Sequence, residues 1–196
     1  MTESWPNLPE AAADFRFLLA RGYPRKAALA LDGHNVLITL ECAGRGLPLV
    51  AADDGFIRDV GEISRAFRVS EATDRVLAQV ADYLADQAAG PVEVFYDAPL
   101  SRSGELARRT REIFASRGIT AQAAAVPVPE RELAVFPGAI ATSDTALIDT
   151  HGTLVDLAGE IIRRHPAWRL IYLGEPGPGA AAPPFPDALP PAGKKS

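Results

Sequence analysis

The chain has 196 residues, of which 47% are apolar and 23% are charged. These proportions are typical of a globular protein long enough to form one α/β domain. No apolar run approaches the roughly 20 residues that span a bilayer, and the net charge of −5 argues against a generally basic protein that coats nucleic acid. A single cysteine, Cys42, and a start without a signal-peptide pattern predict a cytoplasmic protein with no membrane partner.

The N-terminal half of the sequence predicts helices, one buried strand and one hairpin. Apolar periodicity predicts a helix over 11–21, and the apolar run over 27–32 predicts a buried strand that ends at an aspartate. A second helix is expected over 35–41. The turn sequence at 53–55 predicts a small hairpin, and an amphipathic pattern predicts a helix over 70–84 with Ser70 as its N-cap.

The C-terminal half alternates strand and helix patterns. Strands are predicted over 92–97, 121–128, 139–144, 154–156 and 169–173, and helices from 104 to 116, over 145–150 and over 157–164. Prolines at 127 and 129 predict that the strand over 121–128 lies at a sheet edge.

The alternation of strands and helices predicts an α/β fold. We expect a three-layer α/β/α sandwich with a mainly parallel central sheet and right-handed crossovers. This domain should span 11–173. The remaining segment, 174–196, is rich in Pro, Gly and Ala, lacks hydrophobic periodicity, and is predicted to be a disordered tail.

Among the predicted strands, those over 27–32, 92–97 and 139–144 end at Asp32, Asp97 and Asp144. The carboxyl ends of parallel strands meet at one edge of a sheet, where ligands bind in open α/β folds. Carboxylate oxygens are the ligands that Mg²⁺ and Mn²⁺ prefer. The sequence therefore predicts a divalent-metal site at this edge, with Asp149 as a fourth ligand or a group that holds water.

Other polar residues near these strand ends predict supporting roles. Glu71 and Asp74 could add a further acidic position, while Asn35, Thr142 and Ser143 could orient water or the ligand carboxylates. Guanidinium groups bind phosphate bidentately. The candidates for binding substrate phosphates are therefore Arg65, Arg68 and Arg102. The predicted reaction is phosphodiester hydrolysis by a water that the cation activates.

Simpler structural roles remain open for each of these residues. An aspartate after a strand is commonly a turn residue or a helix N-cap, and the arginines could be solvated surface. His34 has no second His or Cys at zinc spacing, so a loop or partly buried histidine is the favoured interpretation. Cys42 is expected to be inert. A phosphatase with Asp32 as covalent nucleophile is a further alternative.

Several motifs resemble those of PIN-like nucleases. The segment Leu31-Asp32-Gly33-His34-Asn35-Val36 resembles the first-strand signature of their NYN branch, and Ala141-Thr142-Ser143-Asp144 resembles the late motif that closes the site. Together with the runs at 21–26 and 97–104, their order over about residues 14–165 is similar to a prokaryotic family of unknown function in the PIN-like group. Lys26 runs almost directly into the first strand, where that family has an extra helical stretch.

The resemblance implies a PIN-like three-layer fold and endoribonuclease activity that depends on Mg²⁺ or Mn²⁺. It further implies RNA as a partner and Asp32, Asp97 and Asp144 as the acidic positions. A homo-oligomer is compatible with it. Because fold does not establish activity, the alternative is a catalytically silent PIN-like module that binds RNA or a protein partner.

Overall fold

The computed structural model describes residues 28–52, 55–59, 67–148, 153–165, 168 and 171–172. The predicted helix over 11–21 and the predicted tail over 174–196 lie outside these residues. Among the helices in the described ranges, none combines the length and the apolar character that a bilayer crossing requires.

The described residues form strands and helices in alternation, as the sequence predicts. In chain order they are β1 (Leu29–Asp32), α1 (Gly33–Gly44), β2 (Leu49–Ala51), β3 (Ile57–Asp59), α2 (Glu71–Asp86), β4 (Val92–Asp97), α3 (Ser103–Ala115), β5 (Ala121–Val126), α4 (Pro129–Ala134), β6 (Ala139–Ala141), α5 (Thr145–Ile148), β7 (Leu154–Val155), α6 (Leu157–Arg163) and β8 (Ile171–Tyr172).

The central sheet has five parallel strands in the order β5-β4-β1-β6-β7. β1 lies in the middle, with Leu31 level with Val94 of β4 and Ala141 of β6. The predicted parallel sheet and the edge position of β5 are confirmed. The predicted hairpin is also confirmed, since β2 and β3 pair antiparallel, but β8 pairs with β2 in this small second sheet instead of joining the central one.

Alternate residues of each central strand pack on opposite faces of the sheet, because side chains of a strand have a period of two. On one face, Leu29, Leu31, Val94 and Tyr96 share a core with α1, α2, α3 and α6. On the other face, Ala30 and neighbouring strand residues pack with Leu133 of α4 and Leu147 of α5. The fold is therefore the three-layer α/β/α sandwich that the sequence predicts.

Three of the wrongly predicted boundaries bear on the site. Helix α1 begins at Gly33, directly after β1, because Asp32 is its N-cap. The strand predicted to reach 128 ends at Val126, and the unpredicted helix α4 begins at Pro129, where proline favours the first helical position. Strand β6 ends at Ala141, so Asp144 lies in the β6–α5 loop and not at the strand end.

A buried aspartate ties the hairpin to the central domain. Asp156, 2% exposed, was predicted to end a strand but is the N-cap of α6. Its carboxylate accepts hydrogen bonds from the backbone N–H groups of Ile57 in β3, at 3.2 Å, and Gly159, at 3.0 Å. Arg163 adds an ion pair at 3.0 Å. Burial raises the pKa of Asp156 to about 6 despite these partners.

Candidate functional site at the carboxyl edge of the sheet

The carboxyl end of β1 is the point where the connections of the central sheet change direction. From β1 the chain continues to β4 and β5 on one side, and then crosses to β6 and β7 on the other. In open α/β sheets such a switch point forms the crevice in which ligands bind. Asp32 is the last residue of β1 and therefore lies at this switch point.

Asp32 caps α1 and also contacts the neighbouring strand end. Its Oδ1 accepts a hydrogen bond from the Asn35 backbone N–H at 3.2 Å, and its Oδ2 accepts one from the Thr142 hydroxyl at 3.4 Å. The side chain is only 9% exposed. The N-cap interpretation is thus confirmed for Asp32, but a cap alone does not require a carboxylate to be buried between strands.

The strand period assigns further polar groups to the same side of the sheet as α4. Ala30, Phe95 and Ile140 pack in the core beneath α4. Two positions later, Asp32 and Asp97 end β1 and β4, and Thr142, which follows the last residue of β6, donates its hydroxyl to Asp32. Helix α4, which packs on β1 and β4, contributes Glu130 in its first turn. Three carboxyl groups, from Asp32, Asp97 and Glu130, therefore belong to one edge and one face.

Burial and negative charge together make Asp32 hard to ionise. The pKa of Asp32 is raised to about 7, chiefly by burial and also by the carboxylates of Glu130 and Asp97, although the hydrogen bonds from Asn35 and Thr142 act in the opposite direction. Burial also raises the pKa of the half-buried Asp97. A carboxyl group that titrates near neutral pH is a recognised mark of a functional site, because it can exchange a proton or bind a cation.

Asn35 fixes the loop that follows β6. Its side-chain Oδ1 accepts hydrogen bonds from the backbone N–H of Ser143, at 3.0 Å, and from the Ser143 hydroxyl, at 2.8 Å. The Thr142 hydroxyl oxygen accepts the Asp144 N–H at 3.1 Å. Asp144 itself accepts the Ala146 N–H at 2.9 Å, in the first turn of α5. The motif residues of β1 and β6 thus form one hydrogen-bonded unit.

The structure brings together only some of the predicted site residues. Asp32, Asp97, Asn35, Thr142 and Ser143 meet at the carboxyl edge, and Asp144 lies on the adjoining loop. Among the described residues, no three His, Cys, Asp or Glu side chains form a group that could hold a metal ion. The predicted three-aspartate ligand set therefore stays a prediction.

The other predicted residues have structural partners or lie outside the described ranges. Arg102 pairs with Glu105 at 2.6 Å, Asp74 pairs with Arg109 at 2.8 Å, and Arg68 donates to the Phe67 carbonyl at 2.8 Å. Glu71 is exposed in the first turn of α2. Arg65 and Asp149 lie outside the residues that the structure describes.

Two residues at this edge were missed by the sequence reasoning. Glu130 was missed because its helix was missed, although a proline followed by an acidic residue is a helix-start signal. Arg58 of β3 donates its Nε–H to the Ser143 carbonyl at 3.0 Å, which places a guanidinium beside the loop after β6. No local sequence signal identifies that contact, since the two residues are 85 positions apart.

Comparisons with known proteins identify relatives without an assigned activity. An uncharacterized protein of Methanocaldococcus jannaschii is 31% identical over 134 residues, which cover 67% of this chain and 64% of that protein. The chain thus spans slightly less than two thirds of the length of this relative. No solved structure matches. A family described as a domain of unknown function, DUF5616, matches residues 24–160, and the chain therefore belongs to the DUF5616 family.

Proposed function

We propose that this protein is a Mg²⁺- or Mn²⁺-dependent ribonuclease that hydrolyses RNA phosphodiester bonds at the carboxyl edge of its sheet. The observation that best supports the proposal is the buried carboxyl group of Asp32, whose pKa is raised to about 7 beside Asp97 and Glu130. A carboxyl group in that state is costly to ionise unless a cation compensates its charge.

The donor chemistry of the edge fits a hard divalent cation. Mg²⁺ is commonly held by one or two carboxylates, with water and substrate phosphate completing its coordination. Asp32 and Asp97 would supply these carboxylates, and Glu130 lies close enough to influence the charge of Asp32. Asp144, on the adjoining loop, and Asp149, outside the described residues, complete the proposed ligand set.

The protein residues then have separate tasks in the hydrolysis. When bound, the divalent ion supplies Lewis acidity toward the phosphoryl oxygens and activates water. Asp32 and Asp97 would hold the ion in their ionised forms, so protonation of Asp32, whose pKa without metal is about 7, would oppose metal binding. Asn35 keeps the Ser143 loop in place through two hydrogen bonds. No side-chain nucleophile is required.

RNA is proposed as the substrate because of the PIN-like resemblance of the motifs around Asp32 and Asp144. The phosphate contacts would come from Arg58, beside the Ser143 loop, together with Arg65, Arg68 and Arg102. Arg102 would exchange its exposed ion pair with Glu105 for a phosphate, an exchange of small cost because exposed ion pairs contribute little.

A cleavage assay tests this function directly. Purified protein is incubated with mixed single-stranded and structured RNA in Mn²⁺, in Mg²⁺ and in chelator. We expect cleavage only with a divalent ion, and a loss of about 100-fold or more in Asp32→Asn and Asp97→Asn. Asp86→Asn, at the exposed end of α2, is the control and should cleave like the wild type.

Other outcomes distinguish the alternative functions. An absence of metal-dependent cleavage on every RNA would contradict the proposal and favour the catalytically silent module that binds RNA or a protein partner. Turnover of a generic phosphomonoester that is abolished by Asp32→Asn, without RNA cleavage, would instead favour a phosphatase.

A further inference from the structure

His34 is a buried histidine that follows Asp32 by two residues and contacts the backbone of Asp97. It is the second residue of α1 and only 4% exposed. Its ring packs edge-on against Tyr96, with centroids 5.1 Å apart, and against Phe67, at 5.6 Å. Burial lowers the pKa of His34 to about 4, so the ring is neutral at physiological pH.

The ring of His34 binds the backbone of Asp97. Its Nδ1 accepts the Asp97 N–H at 3.0 Å. A neutral imidazole that accepts at Nδ1 has its hydrogen on Nε2, and His34 Nε2 has no hydrogen-bond partner within the described part of the chain. The hydrogen bond to Asp97 is therefore the polar contact that fixes the orientation of the His34 ring.

Side chains from two helices hold the peptide groups of Asp97 at the end of β4. His34 of α1 accepts its N–H, and the hydroxyl of Ser103, at the start of α3, donates to its carbonyl oxygen at 2.5 Å. On the side of β5 the register of β4 continues through Asp97, but on the side of β1 it ends two residues earlier. His34 therefore holds the Asp97 peptide on the side of the strand where Asp32 lies.

Gly33 makes the approach of His34 possible. A Cβ atom at position 33 would lie 2.2 Å from a ring carbon of Tyr96, so only glycine allows α1 to start this close to β4. The Tyr96 ring is itself held by a hydrogen bond of 2.7 Å between its hydroxyl and that of Thr110. The ring thus forms a fixed surface under the first turn of α1.

We propose that His34 is a positioning residue, which fixes the Asp97 peptide through Nδ1 and so keeps the Asp97 carboxylate beside Asp32. The residues after Asp32 then connect β1 to both neighbouring strands: His34 binds the end of β4, and Asn35 binds the loop after β6. The importance of His34 for catalysis rests on the proposed function, whereas the effect of His34 on the distance between Asp32 and Asp97 does not.

The test is a double-mutant cycle in metal-free protein, followed through the pKa of Asp32 by NMR titration of its carboxyl carbon. Asp97→Asn should lower this pKa in the wild type, because it removes a neighbouring negative charge. In His34→Leu, which cannot accept the Asp97 N–H, Asp97→Asn should have less than half of that effect. In His34→Asn, whose side-chain oxygen can replace Nδ1, the full effect should return.

The controls separate positioning from a general loss of stability. Ile161→Val, in the core on α6, should reduce stability but leave the effect of Asp97→Asn unchanged. If His34→Leu does not fold, His34→Gln replaces it, since its carbonyl extends one bond further and fits the Asp97 N–H less well. An equal effect of Asp97→Asn in the wild type and in the Leu or Gln variant would overturn the proposal.

A second readout separates this inference from the proposed function. In the wild type, Mn²⁺ should raise the melting temperature, and the rise should shrink in His34→Leu and return in His34→Asn. If the NMR cycle gives the expected result but Mn²⁺ has no effect on any variant, His34 positions Asp97 and the metal-dependent function is wrong. If Mn²⁺ stabilises all variants equally and the cycle shows no dependence on His34, the positioning role is wrong.

Discussion

Replacing Asp32 by asparagine should stabilise the metal-free protein at neutral and alkaline pH. The carboxyl group of Asp32 is 9% exposed, and its pKa is raised from 3.8 to about 7 by burial, by Glu130 and by Asp97. Asparagine is as good an N-cap as aspartate, so α1 keeps its cap. The substitution therefore removes the cost of ionising a buried carboxylate with little other change.

The size of the effect follows from the two pKa values. One pKa unit corresponds to about 1.4 kcal/mol, so a rise of about three units, from 3.8 to about 7, amounts to roughly 4 kcal/mol. The folded-state pKa lies above that of the unfolded chain. The contribution of Asp32 to stability is therefore fully present below about pH 4 and is lost as the pH rises through about 7.

The assay is urea unfolding of wild type and Asp32→Asn in chelator, from about pH 4 to about pH 8. The difference between the two free energies of unfolding reports Asp32 together with its coupling to Glu130 and Asp97, because His34 and Asp156 titrate in both proteins. We expect the variant to gain roughly 4 kcal/mol relative to the wild type across this range, while Asp86→Asn shows no such trend. A difference that stays constant with pH would refute the raised pKa of Asp32.

Three further predictions concern packing, the buried cap and the metal response. Gly33→Ala should lower the free energy of unfolding in urea by about 2 kcal/mol or more, because the added Cβ would lie 2.2 Å from the Tyr96 ring. Gly104→Ala is the control and should be neutral or stabilising, since a Cβ there meets nothing within 4 Å. Equal effects of the two substitutions would contradict this packing. Asp156→Ala should lower the free energy of unfolding by about 3 kcal/mol in the same assay, since it removes the acceptor of the Ile57 and Gly159 N–H groups. A loss under about 1 kcal/mol would mean that water replaces the carboxylate. In thermal denaturation, Asp97→Asn should leave the melting temperature of the metal-free protein unchanged or higher, and should reduce the increase in melting temperature that Mn²⁺ causes. A lower melting temperature without metal, together with an unchanged increase in Mn²⁺, would make Asp97 a structural residue.

Most of the fold could be predicted because its signals are local. The apolar runs before Asp32 and Asp97 predict buried parallel strands, and the periodicity of 70–84 predicts α2. Helix α4 was missed because Pro129–Ala134 has six residues, too few to show a helical period. The assignment of β8 to the small sheet depends on tertiary pairing with β2, which no local pattern specifies.

The candidate site was predictable only where strand order determines it. Asp32 and Asp97 end neighbouring strands, so the parallel sheet brings them to one edge. Glu130, Arg58 and the contact of His34 with Asp97 depend on how distant elements pack. Likewise, the ion pair between Asp74 and Arg109 joins α2 to α3, and this pairing has no signature in either helix sequence.

Binding of Mn²⁺ to the purified protein, measured by isothermal titration calorimetry above the Asp32 pKa of about 7, tests the proposed metal site most directly. We expect saturable binding in the wild type that is lost in Asp32→Asn and retained in Asp86→Asn. Binding should also weaken as the pH falls through about 7, because protons then compete for the Asp32 carboxylate. An absence of binding, or binding of equal strength in Asp32→Asn, would contradict a metal site at the carboxyl edge of the sheet.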